Sequence, residues 1–139
     1  MSSVPCYSYD VSIVSFFKRT VKNRDVWRSS FEQQLKKLQE LPDGSDSWTP
    51  HKPSAGVINT AEQIATNITV ENVPIPIVAA TSEGGIQVKI TRSEREFSYF
   101  VYPDQSVEFL FANGDPSGRR SGELKDFRKI NALVRLVTE

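Results

Sequence analysis

Polar and apolar residues alternate with a period of two through much of the stretch from Pro74 to Gly114, a period that sends successive side chains to opposite faces of a β-sheet. Ile86, Val88 and Ile90 alternate with Gln87, Lys89 and Thr91, and Val107, Phe109 and Phe111 repeat the pattern with Glu108 turned outward. Phe97, Tyr99 and Val101 fall on one face of the strand between them while Phe100 and Tyr102 crowd the other, which predicts a central strand covered on both sides. A first strand, Ile75 to Ala80, carries Pro74 and Pro76 at its start. Proline cannot donate a ladder hydrogen bond, so this strand belongs at an edge, where it is exposed to strand addition. The turns Ser82–Gly85, Ser93–Glu94 and Pro103–Asp104 are too short for a parallel crossover, and an antiparallel meander follows.

On either side of the meander the period lengthens to that of a helix. Trp27, Phe31, Leu35, Leu38 and Leu41 form one apolar stripe on a helix from Arg24 to Glu40, which Pro42-Asp43-Gly44 stops. Val57, Ala61, Ile64, Ala65 and Ile68 mark a second helix with Ser54 as its N-cap. Leu124, Phe127, Ile130, Leu133, Val134 and Val137 trace the buried side of a C-terminal helix starting near Ser121, with Lys125, Arg128, Lys129 and Arg135 facing away. Pro42 to Pro53 reads as a loop whose Trp48 plugs against the core, and Asn113 to Gly122 as a flexible polar loop. Near the N-terminus, Tyr7, Tyr9, Val11 and Ile13 alternate with Ser8, Asp10 and Ser12, a strand signal that would add a fifth strand or pair with another copy to make a homodimer. The fold class is therefore α+β: an antiparallel meander of four or five strands packed against two or three helices as a two-layer sandwich.

At 139 residues the chain is one domain by length, and large enough to bury roughly two thirds of its unfolded surface. Residues 1–50 would form a peripheral or partner-ordered extension. Equal numbers of acidic and basic residues, 17 each, give no global attraction to a polyanion or an anionic membrane. The charge is uneven all the same: from Lys18 to Lys37 seven residues are basic and two acidic, whereas from Leu38 to Gly85 one is basic and six are acidic. Cys6 is the sole cysteine, which fits a reducing compartment, and no apolar run approaches the length of a membrane span. A cytoplasmic setting is the expectation.

Candidate chemistry is sparse. His51 is the one histidine and Cys6 the one thiol, so no nucleophile–base signature stands out and no zinc site can be assembled. His51, between Pro50 and Lys52, reads as a surface residue. Asp43, Asp46, Glu83 and Asp104 lie in loops at spacings that match no calcium loop, and turn chemistry accounts for them equally well. Gly114 to Gly122 carries Arg119 and Arg120 ahead of the expected helix, an arrangement that attracts anions, but it lacks the ending of a phosphate-binding loop. No cofactor and no metal is expected.

The order of features in residues 30 to 112 resembles a family of small bacterial proteins of no established function. The residues that carry the likeness are Asp43, Gly44 and Trp48 in the loop, then Pro74, Pro76, Thr81, Gly84, Gly85 and Ile86 at the opening of the meander. In that family the tryptophan precedes the Asp-Gly pair, and an acidic residue and a tryptophan stand where this chain has Lys89 and Ile90. The resemblance implies the fold and no activity.

The remaining candidate for a binding surface is basic: Lys18, Arg19, Lys22, Arg24 and Arg28 beside Trp27, together with Arg119 and Arg120. Such a mixture can hold phosphates and stack bases, although core packing explains the aromatic spacing too. The reading that follows is a small interaction module, accessory, adaptor or antitoxin-like, that binds another protein and catalyses nothing itself. A neighbouring gene is the natural source of that partner. The alternatives are nucleic-acid binding through the basic segment 18–37, and an enzyme with an unrecognised carboxylate site.

Overall fold

The computed structural model describes residues 23–41 and 51–139. In chain order these form helix α1 (Asn23–Gln39), helix α2 (Ala55–Thr66), strands β1 (Ile77–Ala80), β2 (Ile86–Arg92), β3 (Arg95–Val101), β4 (Val107–Ala112) and β5 (Arg120–Glu123), and helix α3 (Ile130–Thr138). Short 3-10 turns precede β5 and α3. The expected strand at Tyr7 to Ile13 and the loop tryptophan Trp48 lie outside the described residues.

The sheet is an antiparallel meander in the order β1-β2-β3-β4-β5, so β3 is central and β1 is an edge, as the alternation and the prolines require. Register fixes what each strand buries. Ile86 stands opposite Val101, Val88 opposite Tyr99 and Ile90 opposite Phe97; the same face continues through Phe111, Phe109 and Val107 on β4. Fully burying a side chain of this kind contributes about 1.5–3 kcal/mol.

All three helices close over this face. Trp27, Phe31 and Leu35 of α1 join Val57, Ala61, Ile64 and Ala65 of α2 and Ile130, Val134 and Val137 of α3 in one continuous core. The Ser54 side chain accepts from Val57 N–H and starts α2, while Ile68, just past its end, is also buried. Asn131 clasps the chain after α2: its Oδ1 accepts from Thr69 N–H and its Nδ2 donates to the Asn67 carbonyl, both at 2.8 Å. In the β1–β2 turn Gly84 has φ 90°, and a Cβ on Gly85 would sit 2.5 Å from the Val101 carbonyl oxygen, so the double glycine lets the hairpin close against β3.

Three expectations are corrected. Asn113 to Gly122 is not a flexible loop throughout: Arg120–Glu123 is a fifth strand paired with β4, and a Cβ on Gly122 would come within 3.2 Å of the Phe109 ring. A glycine there lets the backbone pass close over that ring. The C-terminal helix consequently begins at Ile130, not near Ser121, after a turn in which the Asp126 carboxylate accepts from Arg128 N–H. Finally, the cover expected on the second side of β3 is not supplied by any helix among the described residues. Phe100 and Tyr102 are half-exposed, because no helix among the described residues packs on their face.

Candidate strand-addition site at the open edge of the sheet

A sheet has two edges, and this one treats them oppositely. The Val78 N–H in β1 and the carbonyl of Pro76 just before it point away from β2. The Val78 N–H donates to Gln34 Oε1 and the Pro76 carbonyl accepts from Gln34 Nε2, each at 2.8 Å. Gln34 is held by α1, which packs along β1, and its amide is further fixed by a 3.1 Å bond from Nε2 to Ser30 Oγ. One glutamine thereby supplies both the acceptor and the donor that a further strand would bring. The edge expected to be exposed for strand addition is closed at its middle by a side chain.

Among the described residues the β5 edge is open. Leu124 N–H donates to the Val107 carbonyl at 2.9 Å, and Val107 is the residue opposite Leu124 when the β4–β5 register is extended by one. Alternation along β5 then turns the N–H and C=O of Arg120 and Gly122 toward β4 and those of Ser121 and Glu123 outward. Among the described residues no strand or side chain pairs with these outward groups, and Arg120, Ser121 and Glu123 are all exposed.

Beside this edge lies the bare face of the sheet, the one that no helix among the described residues covers. One cross-strand row runs Ile77, Lys89, Ser98, Leu110 and Ser121; the next runs Ala79, Gln87, Phe100, Glu108 and Glu123. Ile77 is 58% exposed, whereas Ser98 is 0% exposed beneath its neighbours. Lys89 pairs with Glu96 at 3.8 Å. At the β5 end of the second row two carboxylates, Glu108 and Glu123, stand directly opposite one another, an arrangement that costs stability unless cations neutralise it. Glu123 meets exposed Lys125 at 3.5 Å and Glu108 Oε1 accepts from the Tyr102 hydroxyl at 2.6 Å, a bond that holds the phenol proton and raises the Tyr102 pKa.

The basic candidates do not converge. Lys18, Arg19 and Lys22 lie outside the described residues, and Arg24 falls in the first turn of α1. Trp27 belongs to the core, not the surface: it is 2% exposed and stacks on Phe31 with ring centroids 5.4 Å apart. Its spacing with Phe31 and Leu35 carried that signal. Arg28 is half-buried on α1, which packs on β1, while Arg119 and Arg120 stand at the start of β5 on the far edge. The two arginines precede a strand, so the helix N-terminus that would have completed an anion site is not there.

The carboxylate candidates are likewise dispersed. Asp43 and Asp46 lie outside the described residues; Glu83 and Asp104 are exposed in separate turns. Asp104 accepts from the hydroxyl and the N–H of Ser106, which lowers its pKa. Among the described residues no three His, Cys, Asp or Glu side chains gather to hold a metal ion. His51 is half-buried rather than a plain surface residue. Its N–H donates to the Thr81 carbonyl at 3.4 Å, and its Nε2 is buried with no partner among the described residues. A groove of about 810 Å³ runs between α1, residues 69–75 and the end of α3, but its arginines are engaged: Arg92 with the Thr138 carbonyl at 3.0 Å and Arg135 with Glu139 at 3.8 Å.

Sequence reasoning missed Gln34, Ser121 and Glu123. Gln34 gives no signal, being a polar residue on a helix; Ser121 and Glu123 flank Gly122 in a run too polar to announce a strand. Among the described residues no helix is long and apolar enough to cross a membrane. No protein-family model, no curated protein and no solved structure matches the chain.

Proposed function

We propose that this chain is a small protein-interaction module that catalyses nothing itself and works by taking an extended segment of another polypeptide onto the open edge of its sheet. The observation that carries this reading is the difference between the edges. On the β1 edge Gln34 satisfies the Val78 N–H and the Pro76 carbonyl, whereas among the described residues nothing pairs with the outward groups of Ser121 and Glu123 on β5. Unpaired N–H and C=O groups at a sheet edge can template a further strand, and the difference in backbone pairing between the two edges supports β5 as the strand that takes one. Main-chain bonds would supply affinity in such a complex, and Arg119, Ser121 and Glu123 would select the side chains laid beside them. The single cysteine supports a cytoplasmic setting for this activity. Membership of the bacterial family with the Asp-Gly loop and the double-glycine hairpin is part of the same reading and adds no activity to it.

The test is photo-crosslinking of the full chain in cells, with a photoreactive phenylalanine analogue placed at Ser121 or, as control, at Ala79. Adducts are expected from position 121 and not from 79. Ser121→Pro removes an outward N–H while leaving the β4 ladder whole, so combined with an analogue at Glu123 it should abolish the adducts without lowering the melting temperature. Equal labelling from both edges, or none from either, would sink the reading.

A further inference from the structure

The composition of the open edge identifies its occupant. We infer that β5 pairs antiparallel with β5 of a second copy of this chain, in the register that sets Ser121 against itself and Arg119 against Glu123 of the other copy. This rests on the strand-addition reading above and names the strand that is added.

Two copies of one strand can pair antiparallel about a two-fold axis only when residues of like parity face each other, since directly opposed side chains share a face of the sheet. The outward-bonding residues of the edge are Ser121 and Glu123, and Arg119, in an extended conformation at φ −75° and ψ 140°, continues the alternation. Four centres are available to so short a strand. An axis through Arg120 opposes two arginines, and one through Glu123 opposes two glutamates. An axis through Gly122 sets Arg119 against Lys125. Centring on Ser121 sets Arg119 against Glu123 twice, once on each side of the axis, and places the Arg120 side chain opposite Gly122, which has none to obstruct it. Like charges in direct opposition are unfavourable and unlike charges favourable, so the register with two ion pairs is selected over the other three.

The same register answers the oddity on the bare face. Glu108 and Glu123 are direct cross-strand neighbours, and the cation beside Glu123, Lys125, is exposed at 3.5 Å. Arg119 of the second copy would reach Glu123 from the opposite side, on the face that carries both carboxylates. Because the axis is perpendicular to the sheet, the two helix layers lie on one side and the two bare faces fuse into a single continuous surface.

Sedimentation equilibrium of the full chain tests this. A dimer is expected at about 0.1 mM, a concentration at which a micromolar complex is almost fully formed. R119E and E123R should each weaken it by about tenfold or more, since each replaces two attractions by two repulsions. The double variant R119E/E123R exchanges the charges within every pair, and should return the dissociation constant to within about threefold of the parent. A monomeric parent chain overturns the inference, as does a dimer indifferent to the single swaps or one that the double swap fails to restore. The crosslinking measurement separates this failure from failure of the parent reading. Adducts from position 121 to a different polypeptide would end self-pairing and leave strand addition standing, whereas absence of any adduct would end both.

Discussion

The side chain of Gln34 meets the backbone of Val78 as a neighbouring strand would: Oε1 accepts the Val78 N–H at 2.8 Å while Nε2 of the same amide donates to the Pro76 carbonyl. Partners 44 residues apart in sequence thus meet at the middle of one margin of the sheet. Pro76 itself contributes, because it brings a carbonyl to the edge and no N–H that would need an acceptor.

Gln34→Leu should therefore do two things. It leaves a half-buried N–H and C=O without partners, which costs about 1–3 kcal/mol and lowers the urea midpoint accordingly. It also opens β1, so an analogue at Ala79 should begin to crosslink. A midpoint unchanged from the parent would mean that water replaces the glutamine without loss.

What the sequence discloses and what it hides follow from the reach of each signal. The meander is legible because its apolar residues alternate over several strands, and because Gly84-Gly85 and Pro103-Asp104 mark turns locally. Strand β5 is hidden because its contribution to the core passes through Gly122, whose importance is the space it leaves for the Phe109 ring. Without an apolar side chain there is no alternation to read. The role of Gln34 is hidden for another reason: a glutamine capping a distant strand looks like a glutamine in solvent. The basic cluster shows the converse error, in which Trp27 is grouped with its charged neighbours along the chain although the fold turns it inward.

Arg92 and Arg95 are direct cross-strand partners at the β2–β3 turn, and both reach the last carbonyls of α3. Arg92 Nη1 donates to Thr138 at 3.0 Å; Arg95 Nη1 donates to Leu136 at 3.3 Å and to the carbonyl of Glu139. Two cations at the negative end of the helix offset their mutual repulsion. Arg95→Ala should cost about 1 kcal/mol, more than Arg92→Ala, because it strips two carbonyls rather than one, and the loss should shrink in high salt. Equal effects from the two substitutions would show that their shared charge, not the individual bonds, is what matters.

Ser98 sits in the middle of the second face of the sheet at 0% exposure, and among the described residues its hydroxyl has no hydrogen-bond partner. Removing a buried hydroxyl that bonds to nothing relieves a desolvation penalty. Ser98→Ala should leave the domain as stable as before or stabilise it by up to about 1 kcal/mol in denaturant titration. A loss larger than that would reveal a partner for the hydroxyl in solution.

Tyr102 and Glu108 make the fold sensitive to alkali in a calculable direction. The phenol donates to the Glu108 carboxylate at 2.6 Å, and Glu83 adds negative charge nearby; both hold the proton and raise the Tyr102 pKa in the folded chain. Tyr99, buried in the core with its hydroxyl 3.4 Å from the Ala61 carbonyl, is pushed up further by desolvation. A group whose pKa is higher folded than unfolded stabilises fully below its unfolded value, about 10 for tyrosine, and its contribution is lost as the pH rises through the folded value. The urea midpoint should therefore fall across the alkaline range. Tyr102→Phe removes one of the two phenols, so the variant should start lower at pH 8 and decline less steeply, leaving the part that belongs to Tyr99. If parent and variant run parallel from pH 8 to the alkaline limit of folding, the Tyr102–Glu108 bond contributes nothing to stability in solution.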